Sequence, residues 1–152
     1  MPTGRISVRR QVAASPDRVW AVLTDIDNAA RTLTGVTRIE RISGAGYEVG
    51  TRWRETRTMF GREATEEMWV AEVDPNRRTV VKARSAGTDY TTVFTLAPAA
   101  AGTDLTMTFS ADAGSSAFNR LLAATVGRLA MRFTRKAIAA DLRDIAARAE
   151  TG

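Results

Sequence analysis

Residues 5–13 place Ile6 and Val8 two apart among polar neighbours, with Val12 following, which is the period of a half-buried strand. The next four residues, Ala14-Ser15-Pro16-Asp17, mark a helix start. Ser15 suits the N-cap, Pro16 the first helical position, and Asp17 the positive end of the helix dipole. Val19, Val22, Leu23 and Ile26 then recur at i, i+3, i+4 and i+7, a single apolar stripe with Trp20 at its edge. From Asp25 to Leu33 the pattern reads as a break and a second short helix, ended by Thr34-Gly35. Asp25 and Asp27 flank the break and read as helix caps.

From Val36 to Ala111 the period falls to two. Turn signals at Ser43 to Gly46, Phe60-Gly61, Asp74-Pro75-Asn76, Ala86-Gly87-Thr88 and Pro98 to Asp104 leave six strands, at 36–42, 50–60, 62–73, 78–85, 88–97 and 103–111. That spacing predicts an antiparallel meander joined by hairpins. Alternation is plainest in Tyr90, Thr92, Phe94 and Leu96 and in Leu105, Met107 and Phe109, which predicts an inward face for both strands. In strand 50–60, Trp53, Glu55, Arg57 and Met59 share one face, while Arg52, Arg54, Thr56, Thr58 and Phe60 share the other. The bulk of Trp53 argues for its face inward, carrying Glu55 and Arg57 with it; the opposite face inward, or a bulge, is the competing reading. An inward charged pair needs a partner or access to water or ligand, so it would serve as a polar anchor. In strand 62–73, Glu63, Thr65, Glu67 and Trp69 oppose Glu66, Met68 and Val70, and neither face is apolar enough to decide between them. Glu63, Glu66 and Glu67 read as cross-strand partners for the arginines of the preceding strand, in pairs worth roughly 0.2–1 kcal/mol each.

After Ala113-Gly114-Ser115-Ser116 the pattern is helical to about Glu150 without a proline, which at 1.5 Å per residue gives one helix about 50 Å long. Phe118, Leu122, Val126, Leu129 and Phe133 form the stripe of its first half. Ile138, Leu142 and Ile145 lie roughly a quarter to a third of a turn round, so the two halves meet different neighbours.

With 152 residues, 44% of them hydrophobic, the chain has material for one core, and a single domain spanning 1–152 is expected. It has no histidine and no cysteine. That excludes a Ser-His-Asp triad, an imidazole base, a thiol nucleophile, a zinc-thiolate cluster and a disulfide. Any catalysis falls to carboxylates, hydroxyls, tyrosine, lysine or arginine. The net charge of +5 comes almost entirely from arginines spread along the chain, with lysine only at Lys82 and Lys136. A nucleic-acid binder concentrates such charge on one stripe, so the pattern argues for a solvated surface instead. No segment has the length of a signal peptide core or the ~18 apolar residues of a membrane span, and a cytoplasmic protein is expected. Gly44-Ala45-Gly46 lacks the third glycine and the helix of a phosphate loop, and Asp25 with Asp27 offers too few ligands for a metal, so no cofactor is expected.

A strand, two short helices, a six-strand meander and a long final helix occur in the order of the helix-grip fold. The chain resembles the START-like superfamily (SRPBCC, birch-pollen-allergen-like), and within it the polyketide cyclase/dehydrase and lipid-transport group. The likeness runs from Ile6 to Glu150. It is carried by Ala14 to Trp20 at the first helix, by Gly46 to Trp53, by Val70 to Arg78, and by Phe94-Thr95-Leu96 followed by Gly102 to Thr106. These motifs are turns and caps, and none is a catalytic signature.

The resemblance implies an α+β fold in which a curved antiparallel sheet of about seven strands wraps the long helix, with an apolar cavity between them near the short helices. Members of the superfamily hold hydrophobic molecules there. The family usually has an inward aliphatic residue at the place of Val70, which favours Glu66 and Met68 inside. The lining expected from the sheet is Trp53, Glu55, Arg57, Met68, Tyr90, Phe94, Met107 and Phe109, and from the helix Leu122, Val126, Leu129 and Phe133. The leading expectation is a monomer or homodimer that sequesters or carries a small hydrophobic or amphipathic ligand, without nucleic acid or stable membrane insertion. A rival is a cyclase, aromatase or dehydrase-type enzyme using Glu55 as base, Tyr90 as acid and Arg57 as anion stabiliser. A third is a protein-interaction module like the family's chaperone activators.

Overall fold

The computed structural model describes residues 4–59, 61–85, 88–112 and 117–151, with the backbone alone at 4, 59, 85 and 117–131. The chain runs β1 (Gly4–Val12), α1 (Pro16–Leu23), one 3-10 turn (Ile26–Asn28), α2 (Ala29–Thr32), β2 (Val36–Ser43), β3 (Arg52–Met59), β4 (Arg62–Asp74), β5 (Arg78–Ser85), β6 (Thr88–Ala99), β7 (Gly102–Asp112) and α3 (Ala117–Thr151). The strands form one antiparallel sheet in the order β1-β7-β6-β5-β4-β3-β2. With α3 packed across β1 and α1, this is the helix-grip fold.

Hydrophobic burial divides into two clusters. The first joins Ile6, Val12, Leu96, Leu105 and Met107 of the sheet and Val19 of α1 to Ile138, Leu142, Ile145, Ala146 and Ala149 of α3, so the second helical stripe is buried. The second cluster gathers Trp53, Val70 and Val81 with Ile26, flanked by Ile39, Tyr47, Met68 and Val73. The end of α3 is tied down by polar contacts as well: Arg18 Nε donates to the Ala149 carbonyl (2.7 Å), the Ala13 amide donates to Glu150 (2.8 Å), and Asp144 accepts from the Thr34 amide (3.0 Å) and hydroxyl (2.9 Å).

Local chemistry departs from expectation at the short helices. Ser15 occupies the N-cap of α1, but its side chain makes no capping hydrogen bond. Asp27 is no cap either; it forms a two-bond ion pair with Arg41 of β2 (3.0 and 3.1 Å), anchoring the 3-10 turn to the sheet. Asp25 precedes that turn without capping it and accepts from the Asn28 side chain (2.8 Å).

In β4 strict alternation fails for a structural reason. Val70 pairs with Val81, but Glu72 pairs with Val80 and Val73 with Thr79, so one residue is skipped by a bulge. Without it Glu72 would stand opposite buried Thr79 on the inward side; with it Val73 does. On the convex side the registers align Glu40, Arg54, Glu67, Arg84 and Asp89 across five strands. Glu67 pairs with Arg52 at 2.9 Å, and Arg52 also lies over the Trp69 ring at 5.0 Å. Of the glutamates expected to serve β3's arginines, Glu67 does so, whereas Glu66 shares the inward side with Met68.

Candidate functional site

A pocket of about 100 Å³ lies between the concave sheet, α3 and the short helices. Residues of both hydrophobic clusters line it. Val22 and Leu23 of α1, with Ile26 and Leu33 beyond it, form one wall. Trp53, Met68, Val81, Phe94 and Met107 form the sheet wall, and Ile145 contributes from α3. Tyr47, in the β2–β3 connection, completes the wall; its hydroxyl bonds Thr79 (2.7 Å) and its ring meets Trp20 edge-on at 6.2 Å. Burial, opposed by the Thr79 bond, pushes its pKa up to about 12, so this phenol remains neutral.

Part of the pocket lining is a charged cluster. Trp53 does face inward, and period two brings Glu55 and Arg57 with it. Arg57 donates through Nε to Glu55 (2.8 Å) and through both terminal nitrogens to Asp141 of α3 (3.1 and 2.7 Å), a bidentate pair. The side chains of Arg57, Glu55 and Asp141 are 25%, 12% and 9% exposed, so the charges lie mostly out of water. Burial alone would lower the Arg57 pKa, but Asp141 first and Glu55 second outweigh it and hold the guanidinium above its ordinary value. Burial pushes the Asp141 carboxyl up, and Arg57 opposes that rise. Glu66, opposite Glu55 in the register, is likewise raised, by burial first and by Glu55 second.

Six expected residues, Trp53, Glu55, Arg57, Met68, Phe94 and Met107, thus converge on this pocket. Tyr90 and Phe109 do not line it. They stack on each other at 5.6 Å further along the concave face, where each ring is occupied by the other. Burial first and the Glu66 charge second raise the Tyr90 pKa, so its phenol stays protonated. Phe133 is 40% exposed and also stands outside the pocket wall. Leu122, Val126 and Leu129 belong to the part of α3 whose side chains lie outside the described residues.

Asp141 is the site residue the sequence reading missed. It sits at i+3 from Ile138 and i+4 before Ile145, an acid within the apolar stripe, and that placement was the available signal. Arg57 differs from expectation in role: its inward donors already serve two carboxylates, so it is not a free anion anchor. Among the described residues no three acidic side chains converge to hold a metal ion.

The fold is shared with solved structures of low sequence identity. TTHA0849 from Thermus thermophilus superposes with a TM-score of 0.80 at 18% identity, covering 96% of this chain and 97% of that one. The Zhui aromatase/cyclase from Streptomyces sp. R1128 gives 0.80 at 18% identity, covering 97% and 93%. Ara h 8.0201 gives 0.71 at 11% identity, covering 98% and 99%. No curated protein matches the chain in sequence. The family model for polyketide cyclase / dehydrase and lipid transport matches residues 3–150, nearly the whole of the fold just described, and the chain belongs to that family.

Proposed function

We propose that this protein binds a small hydrophobic or amphipathic molecule in the pocket between the sheet and α3. The observation that carries this reading is the make-up of the lining: residues of both buried clusters bound a largely apolar space, and three of its charged groups, Glu55, Arg57 and Asp141, are bonded to one another. Apolar walls with a few convergent polar groups are the usual form of a small-molecule site. At about 100 Å³ the pocket is smaller than the roughly 150 Å³ cavity that admits benzene, so even a ligand of that class requires the walls to move outward.

Toluene tests the reading. In an NMR titration it should shift the Trp53 indole and the Met68 and Met107 methyl signals saturably, and Val22→Phe, which fills the pocket from its rim, should abolish the shifts. Absence of saturable shifts in the unmodified protein overturns the proposal. A second reading, a cyclase-type enzyme, draws on the paired carboxylates Glu55 and Asp141 flanking a cation and on the aromatase/cyclase among the structural neighbours. The two readings part on turnover: a poly-β-keto chain is returned unchanged under the first and cyclised under the second.

A further inference from the structure

The charges around the pocket identify the ligand's polar end. Three carboxylates, Asp25, Glu55 and Asp141, line it against one guanidinium, Arg57, the sole cation among the described lining residues. Arg57 has five N–H donors, and each of its three nitrogens already serves a carboxylate. Its charge is therefore matched by Asp141 alone and exceeded once Glu55 is counted. Glu66 adds a further acid on the same face, beside Glu55.

A carboxylate entering beside this cluster would have to displace Glu55 or Asp141 from Arg57 while facing the other of the two, with Glu66 opposite Glu55, in surroundings where charge is poorly screened. A donor meets the opposite situation. Carboxylate oxygens accept more than one hydrogen bond, and both Asp141 oxygens and the Glu55 Oε2 have so far accepted one each from Arg57.

Building on the small-molecule reading above, we infer that the pocket selects a compact apolar body ending in a protonated amine. It accepts the matching alcohol more weakly and rejects the matching carboxylate.

Binding of 2-phenylethylamine, 2-phenylethanol and phenylacetate, measured by calorimetry near neutral pH and low salt with toluene as the uncharged control, tests this. The amine should bind about tenfold or more tighter than the carboxylate, a margin consistent with one uncompensated charge at short range. The margin should shrink severalfold in Glu55→Gln. Asp25→Asn should reduce it by a smaller factor, and because Asp25 is exposed this variant serves where Glu55→Gln fails to fold. Phenylacetate binding as well as or better than the amine overturns the inference, as does toluene binding while the amine does not. If toluene itself fails to bind, the pocket reading falls first and the charge preference falls with it.

Discussion

Glu66 shows how one inward acid makes stability depend on pH. Burial, reinforced by Glu55, raises its folded-state pKa above the 4.5 of the free group, with Arg57 opposing. Between 4.5 and that raised value the folded chain holds more protons than the unfolded one, so stability falls as pH rises through the window. Above it, the ionised carboxylate is a standing cost. Glu66→Gln should therefore raise the denaturation midpoint near neutral pH and leave it unchanged below 4.5, as read from urea unfolding across pH. The inward position of Glu66 was not readable from alternation alone, because each face of its strand carries glutamate. Asp141 was harder still: its place in an apolar stripe marks it as unusual, but the partner that gives it meaning is Arg57, 84 positions away, and no local pattern names that partner.

Strand and helix positions, by contrast, were largely readable, because period and punctuation are local properties. The predicted strands at 78–85 and 62–73 match β5 (Arg78–Ser85) and β4 (Arg62–Asp74) to within a residue. What escaped was the bulge in β4, since a skipped residue is chosen by what the partner strand offers and not by the strand itself. Another long-range demand falls on Gly102, which opens β7 with φ +141°, and a β-carbon there would meet the Val12 and Ala14 carbonyl oxygens at 2.6 Å. Thr103 beside it is fully buried and donates to the same Ala14 carbonyl at 2.7 Å. The turn into β7 and the exit from β1 are thus pressed backbone to backbone. Gly102→Ala should cost about 2–4 kcal/mol in chemical denaturation, since both its backbone angle and its space exclude a side chain.

The molecule as a whole is a curved sheet closed by one helix, and Arg57 with Asp141 is an ionic contact that spans the space between them. Arg57→Leu should cost about 3 kcal/mol, because it leaves Asp141 and Glu55 without their counter-charge in a mostly dry site. Arg57→Leu combined with Asp141→Leu should recover much of that loss in the same unfolding measurement, since a buried pair is worth less than its broken half costs. A loss that stays undiminished in the double variant would mean the pair holds α3 in place beyond its own charge balance. Composition had already confined the polar chemistry to carboxylates, hydroxyls, tyrosine, lysine and arginine, and the pocket draws its polar groups from that set; which of them meet is decided by the closure of the sheet on α3.

The sheet order carries a consequence for how the chain is made. Strands β2 to β7 each pair with a neighbour in sequence, so they assemble through short loops as they emerge during synthesis. β1 is different: Gly4 pairs with Ala111, so the first strand made waits for the last. The apolar stripe of α1 waits longer, because Val19 is buried in the cluster that α3 completes. The amino-terminal segment therefore leaves the ribosome early and stays without its final partners until the final helix follows, which makes it the stretch in greatest need of shelter while the protein is being born.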